Sequence, residues 1–150
     1  MKAITILFCL LCLTCSAQKT IITDPTGSYV LASKTKEING EQYGYTGEIK
    51  IKKISSSKIV VYLFVCKGAP SYNSGTAYDT LTIKKNVAVY TSEYDASCRI
   101  YFRFNTKGVQ VEEKTDNQAF GCGFGHAVYA NGFYKKTSNK IPTRKELANF

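Results

Sequence analysis

The sequence predicts an all-β protein, a small antiparallel meander β-barrel or β-sandwich that ends in a short helical turn. Three observations carry this. Turn-forming residues recur roughly every eight to twelve positions, the spacing of an all-β domain. β-Branched and aromatic residues, which suit a pleated and half-buried surface, fill the intervals. A capping-box pattern, the one helix signal, falls near the C-terminal end.

Gly27–Ser33 opens the series of strands. Tyr45–Ile54 alternates, with Ile49 and Ile51 on one side and Glu48, Lys50 and Lys52 on the other, the period of a half-buried strand. Ser55–Lys58 reads as a turn, and Ile59–Cys66 is an almost unbroken apolar run expected of a central strand. Gly68–Thr76, rich in Gly, Pro, Ser and Asn, reads as a loop. Tyr78–Lys84 and Val87–Thr91 are expected to pair around Lys85-Asn86, and Ile100–Phe104 with Val109–Glu113 around Asn105–Gly108. A third hairpin, Ala127–Tyr129 with Phe133–Lys135, is expected around Asn131-Gly132, a two-residue hairpin signal. Pro142, Thr143 and Glu146 precede Leu147 as a capping box, which predicts one or two helical turns over Thr143–Asn149. Closing so many short strands into a barrel limits exposed edges. Ile49, Ile51, Val61, Leu63, Val65, Ile100, Phe102 and Phe104 are then expected to point inward.

The N-terminus has the layout of a secretory signal peptide: Lys2, an apolar run over Ile4–Leu13, and small residues at Cys15, Ser16 and Ala17. Cleavage is expected before Gln18, giving a leader over 1–17 and a single domain over 18–150 in the periplasm or outside the cell. Acylation at Cys15 is the rival reading, although Cys12 and Thr14 fit a lipobox poorly. No stretch reaches the roughly 20 apolar residues of a membrane-spanning helix, so no transmembrane segment is expected.

Three of the six cysteines leave with that leader, and Cys66, Cys98 and Cys122 remain. In an oxidising compartment one bridge plus one thiol is the default. Cys98 begins one strand and Cys122 lies in a Gly-rich stretch beyond the next, so these two are expected to pair. Such a bridge closes a loop of about 25 residues, worth roughly 3 kcal/mol. Cys66 ends the most apolar strand and reads as a small buried hydrophobe. Cys66, Cys98 and Cys122 form no C-x-x-C among themselves, which argues against thioredoxin-like chemistry and a zinc site in the domain.

The chain carries a net charge of +9. Its basic residues recur at Lys50, Lys52 and Lys53, at Lys84 and Lys85, at Arg99 and Arg103, and at Lys135 and Lys136. The ordinary reading is a set of solvated strand faces, and the functional one a face that binds polyanions. Catalysis finds little material. His126 follows Cys122 by four residues, a nucleophile–base spacing that oxidation of the thiol would disable. Glu112 and Glu113 are neighbours on a strand and so point to opposite faces. No Gly-rich loop precedes a helix, so no nucleotide cradle is readable. The expectation is a protein that is not an enzyme, with no metal, no cofactor and no nucleic-acid partner. Tyr72, Tyr78, Tyr90, Tyr94 and Tyr101 could stack on sugars, although a strand tyrosine ordinarily packs its ring and leaves its hydroxyl wet.

Two short stretches point further. Ser74-Gly75-Thr76-Ala77-Tyr78 is a Ser-Gly-x-x-Tyr, and Thr106-Lys107-Gly108 lies in a later turn. Both resemble motifs of the bacterial periplasmic lysozyme inhibitors, small exported β-barrel or β-sandwich proteins. The resemblance implies that the partner is a lysozyme or another cell-wall-directed protein. It also implies that Ser74, Gly75, Tyr78, Thr106, Lys107 and Gly108 form the binding loops. A serine hydroxyl and a lysine ammonium would then engage the two carboxyl groups that flank the scissile bond. The opening Gly-x-Tyr-x-Leu at Gly27–Leu31 resembles lipocalin-like barrels, which implies instead a ligand-binding or structural role. An anionic glycan or other polyanion of the envelope is the alternative partner.

Overall fold

The computed structural model describes residues 23–147. The expected leader, Cys15, Gln18 and the last residues of the expected helix lie outside the described residues. The strands are β1 (Gly27–Leu31), β2 (Lys36–Ile38), β3 (Glu41–Lys53), β4 (Lys58–Gly68), β5 (Ser74–Lys84), β6 (Val87–Thr91), β7 (Arg99–Phe104), β8 (Gly108–Lys114) and β9 (Gly132–Ser138). All pairings are antiparallel. From β3 to β9 each strand pairs with the next, and β1 closes the ring by pairing with both β9 and β3. The result is the expected barrel, with eight strands in the ring. β2 stands outside it, as a hairpin with the upper part of β3.

Alternation along each strand builds the core. Ile49, Ile51, Val61, Leu63, Val65, Ile100, Phe102 and Phe104 all point inward and are buried, as expected. They meet Tyr29, Val109, Val111 and Tyr134 in one cluster. Where Val61, Ala77, Leu81, Tyr90 and Phe102 meet, no space remains for a water molecule. These side chains fill the interior where a ligand-carrying barrel would be hollow. Outward positions such as Lys52, Thr76, Thr82, Arg103, Gln110 and Lys135 are exposed. That polarity is the reverse of a membrane-spanning barrel, whose outer band is apolar. Among the described residues no helix is long and apolar enough to cross a membrane.

Two expectations need correction. β5 begins at Ser74, so the loop before it is shorter than the composition of Gly68–Thr76 implied. Ala127–Tyr129 is not a strand. β9 takes its partners from β8 on one side and β1 on the other, which closes the barrel and leaves 127–129 no edge to pair with. The 17 residues between β8 and β9 instead fold over the upper mouth, through a 3-10 turn at Gly121–Gly123. They bury Phe124, Val128 and Ala130 against the core. Asn131 serves this loop by accepting the Glu113 N–H at 2.7 Å. The expected bridge, Cys98–Cys122, ties the loop to the start of β7, with a Cα–Cα distance of 5.2 Å. The capping box also forms. Glu146 accepts the Thr143 N–H at 2.8 Å and Thr143 accepts the Glu146 N–H at 3.3 Å, starting α1 (Arg144–Leu147).

One seam in the wall is loose. β5 and β6 share only two residue pairs, Ile83↔Ala88 and Lys84↔Val87, beside their two-residue turn. Above it they diverge, while β4–β5 stays paired as far as Ser74 and β6–β7 as far as Thr91. Asp79 has the inward parity of Ala77 and Leu81, yet it is exposed, because it sits where the strands part. Its Oδ1 accepts the Thr80 N–H at 2.6 Å, occupying a donor of the strand backbone.

Candidate anion-binding site at the lysine-bearing end

In a meander, alternate turns share an end. The β3–β4, β5–β6 and β7–β8 turns therefore lie together, with the last residues of β9 beside them. The contacts agree: the Phe104 N–H donates to the Asn86 carbonyl, and the Lys136 N–H to that of Lys107. This end carries Lys53, Lys58, Lys84, Lys85, Lys107, Lys135 and Lys136. No Asp or Glu occurs in 53–58, 84–87, 104–108 or 135–141. The opposite end mixes signs, with Glu37, Glu41, Glu93, Asp95 and Asp116 against Lys34, Lys36, Lys67, Arg99 and Lys114.

The carboxylate that meets the lysines is Asp24. Hydrogen bonds from the Thr26 N–H and hydroxyl hold its carboxyl below the usual range, and the ammonium groups of Lys53 and Lys136 add to this. Lys136 donates from Nζ to the Asp24 carbonyl at 3.1 Å and lies 5.6 Å from the centre of the buried Tyr29 ring. It is thereby fixed in place. Lys107 and Lys135 are exposed and make no ion pair with any described residue.

These groups edge a surface groove of about 720 Å³. Thr106 and Lys107 enter it from the β7–β8 turn, Phe133 and Lys135 from β9, and Asn139 from the segment that follows. The turn is held by Asn105, whose Oδ1 accepts the N–H groups of Lys107 at 2.8 Å and Gly108 at 3.0 Å. Gly108 has no side chain for a steric reason. A Cβ there would lie 2.2 Å from the Tyr134 carbonyl oxygen and 2.8 Å from Phe133 Cζ, so its absence lets the Phe133 ring lie across the strand.

The two motifs singled out in the sequence do not converge. Ser74 starts β5 at the upper end, and β5 descends to Lys84 beside the lysine-bearing turns. Its eleven residues span roughly 30 Å at the rise of a strand. Ser74 and Lys107 therefore lie at opposite ends of the barrel, and one cleft cannot take both. Gly75 is a packing position, since a Cβ would lie 2.3 Å from Phe124 Cγ. Tyr78 faces outward in mid-strand, paired across from Tyr62 and half exposed. Thr106, Lys107 and Gly108 remain together at the groove.

His126 is exposed, with its ring 5.4 Å from that of Phe120, and its neighbour Cys122 is in the disulfide. Cys66 is a free thiol, half-buried rather than buried as expected, because it faces outward beside the Tyr72 carbonyl. Among the described residues no group of His, Cys, Asp and Glu could hold a metal ion. Phe133 and Asn139 were not readable as site residues, whereas the Lys135-Lys136 pair was part of the basic pattern in the sequence.

Fold and site together define a closed, solidly packed β-barrel with one basic end. The chain matches no family model, no curated protein and no solved structure.

Proposed function

We propose that the protein is an exported binding module that engages an anionic polymer through the lysine-bearing end of its barrel. The observation that carries this reading is the segregation of charge: three turns and the end of β9 supply lysines to one end, no Asp or Glu occurs within those turns, and Asp24 lies beside Lys53 and Lys136. Ammonium groups concentrated on a rigid end raise the local concentration of an anionic partner and speed its capture. A filled interior favours action at this surface over carriage of a ligand inside the barrel. The Cys98–Cys122 bridge fits an oxidising compartment.

Retention on an immobilised sulfated polysaccharide, eluted with salt, tests the reading. Reversing Lys84, Lys107 and Lys135 to Glu is expected to remove most of the retention. Reversing Lys34, Lys36 and Lys67, which lie away from that end, is expected to remove far less. Equal losses would reduce the effect to net charge and overturn the proposal.

A further inference from the structure

Resting on that reading, we infer that the groove edged by Lys107, Phe133 and Lys135 is a subsite for an acidic saccharide, a sugar unit carrying a carboxylate or a sulfate. A bare cluster of ammonium groups would serve any polyanion. This groove holds more. The Phe133 ring lines it, and an aromatic face suits the C–H face of a sugar ring. Thr106 and Asn139 border the same space, and neither side chain is bonded to another described residue. A hydroxyl and an amide offer the mixed donors and acceptors that sugar hydroxyls need. Lys107 and Lys135, both without an ion pair among the described residues, supply the charge for the acidic substituent, and with Lys136 they outnumber Asp24, whose carboxylate is held by Thr26 at the groove's edge. A volume of about 720 Å³ lies within the ordinary range for small-molecule sites and accommodates a short oligosaccharide. A polyphosphate chain could use the lysines but would leave the ring and the amide without a function.

Calorimetric titration with two probes tests this: a heparin-derived tetrasaccharide, and a short polyphosphate of equal charge. The tetrasaccharide is expected to bind at least tenfold more tightly. Asn139→Ala and Phe133→Leu should each weaken it three- to tenfold and leave polyphosphate binding unchanged. Lys107→Gln with Lys135→Gln should weaken both. Asn139 is exposed and its side chain bonds to no described residue, so its variant keeps the test decisive if Phe133→Leu unfolds. Equal affinities for the two probes, with the tetrasaccharide indifferent to Asn139→Ala, would overturn the subsite and leave the polyanion reading standing. Binding of neither probe would overturn both.

Discussion

The backbone N–H of Lys136 donates to the carbonyl of Lys107 at 3.1 Å, locking the β7–β8 turn against the end of β9. Together with the Gly108↔Lys135 pairing of β8 and β9, this contact brings lysines separated by almost thirty positions to the edge of the same groove. Lys136 then turns its ammonium to the Asp24 carbonyl, while Lys107 and Lys135 stay exposed. One lysine thus holds the wall and two face the groove.

Glu113 makes the upper end of the barrel sensitive to pH. It has the inward parity of Val109 and Val111. Its Oε2 accepts the Ala130 N–H at 2.8 Å, while Oε1 is buried with no partner. Burial pushes its carboxyl above the usual range, with the Ala130 bond opposing. The folded state thus holds this proton more tightly than the unfolded chain does. The associated stability is present at low pH and is lost as pH rises through the folded value. Glu113→Gln keeps the acceptor and removes the charge. It is expected to raise Tm at neutral pH and flatten this part of the stability–pH curve. Glu113→Ala leaves the Ala130 N–H unpaired and should cost about 1–3 kcal/mol, measured by urea unfolding.

Gly75 tests the packing of the upper loop. An alanine Cβ would lie 2.3 Å from Phe124 Cγ, so Gly75→Ala must push the Phe124 ring out of the core. A loss of about 1–3 kcal/mol in chemical denaturation is expected. Retention on the sulfated polysaccharide should not change, because Gly75 is remote from the lysine-bearing end.

The bridge makes a separate contribution. Replacing Cys98 and Cys122 together by Ala is expected to lower stability by roughly 3 kcal/mol, mainly by freeing the unfolded chain. Mass spectrometry of the native protein after alkylation should find Cys66 modified and the other two protected.

Much of the barrel is legible in the sequence because each strand states its own inward face. Ile49 and Ile51 alternate with charged neighbours, and Phe102 and Phe104 flank Arg103. The β8–β9 connection was not legible. Asn131-Gly132 has the composition of a tight turn, but Asn131 caps Glu113 instead and the strand partners come from elsewhere. The site was half legible. The β7–β8 turn is the third connection after the β4–β5 loop, an odd step, and an up-and-down meander places them at opposite ends. The same rule brings Lys53, Lys84 and Lys107 together, although in the linear sequence they look dispersed. Phe133 was not legible, because its place in the groove depends on the bare backbone at Gly108.

The loose seam between β5 and β6 predicts a role for Asp79. An inward-pointing charge protects a strand edge from pairing with another chain. Asp79→Val removes that charge and releases the Thr80 N–H. The variant is expected to form dimers or larger species by light scattering, whereas the wild type should stay monomeric at the same concentration. Asp79→Asn also removes the charge but keeps an acceptor for the Thr80 N–H, and should associate less than Asp79→Val and more than wild type.

Ligand capture at the lysine-bearing end has a direct readout in chemical-shift mapping by NMR. Titration of the labelled protein with the heparin-derived tetrasaccharide should move the amides of Thr106, Lys107, Lys135 and Asn139, with smaller shifts at Lys84 and Lys85. The amides of Ser74, Tyr94 and Gly123 at the other end should stay in place. Shifts confined to the Ser74 end, or spread evenly over the outer faces of the strands, would contradict the account.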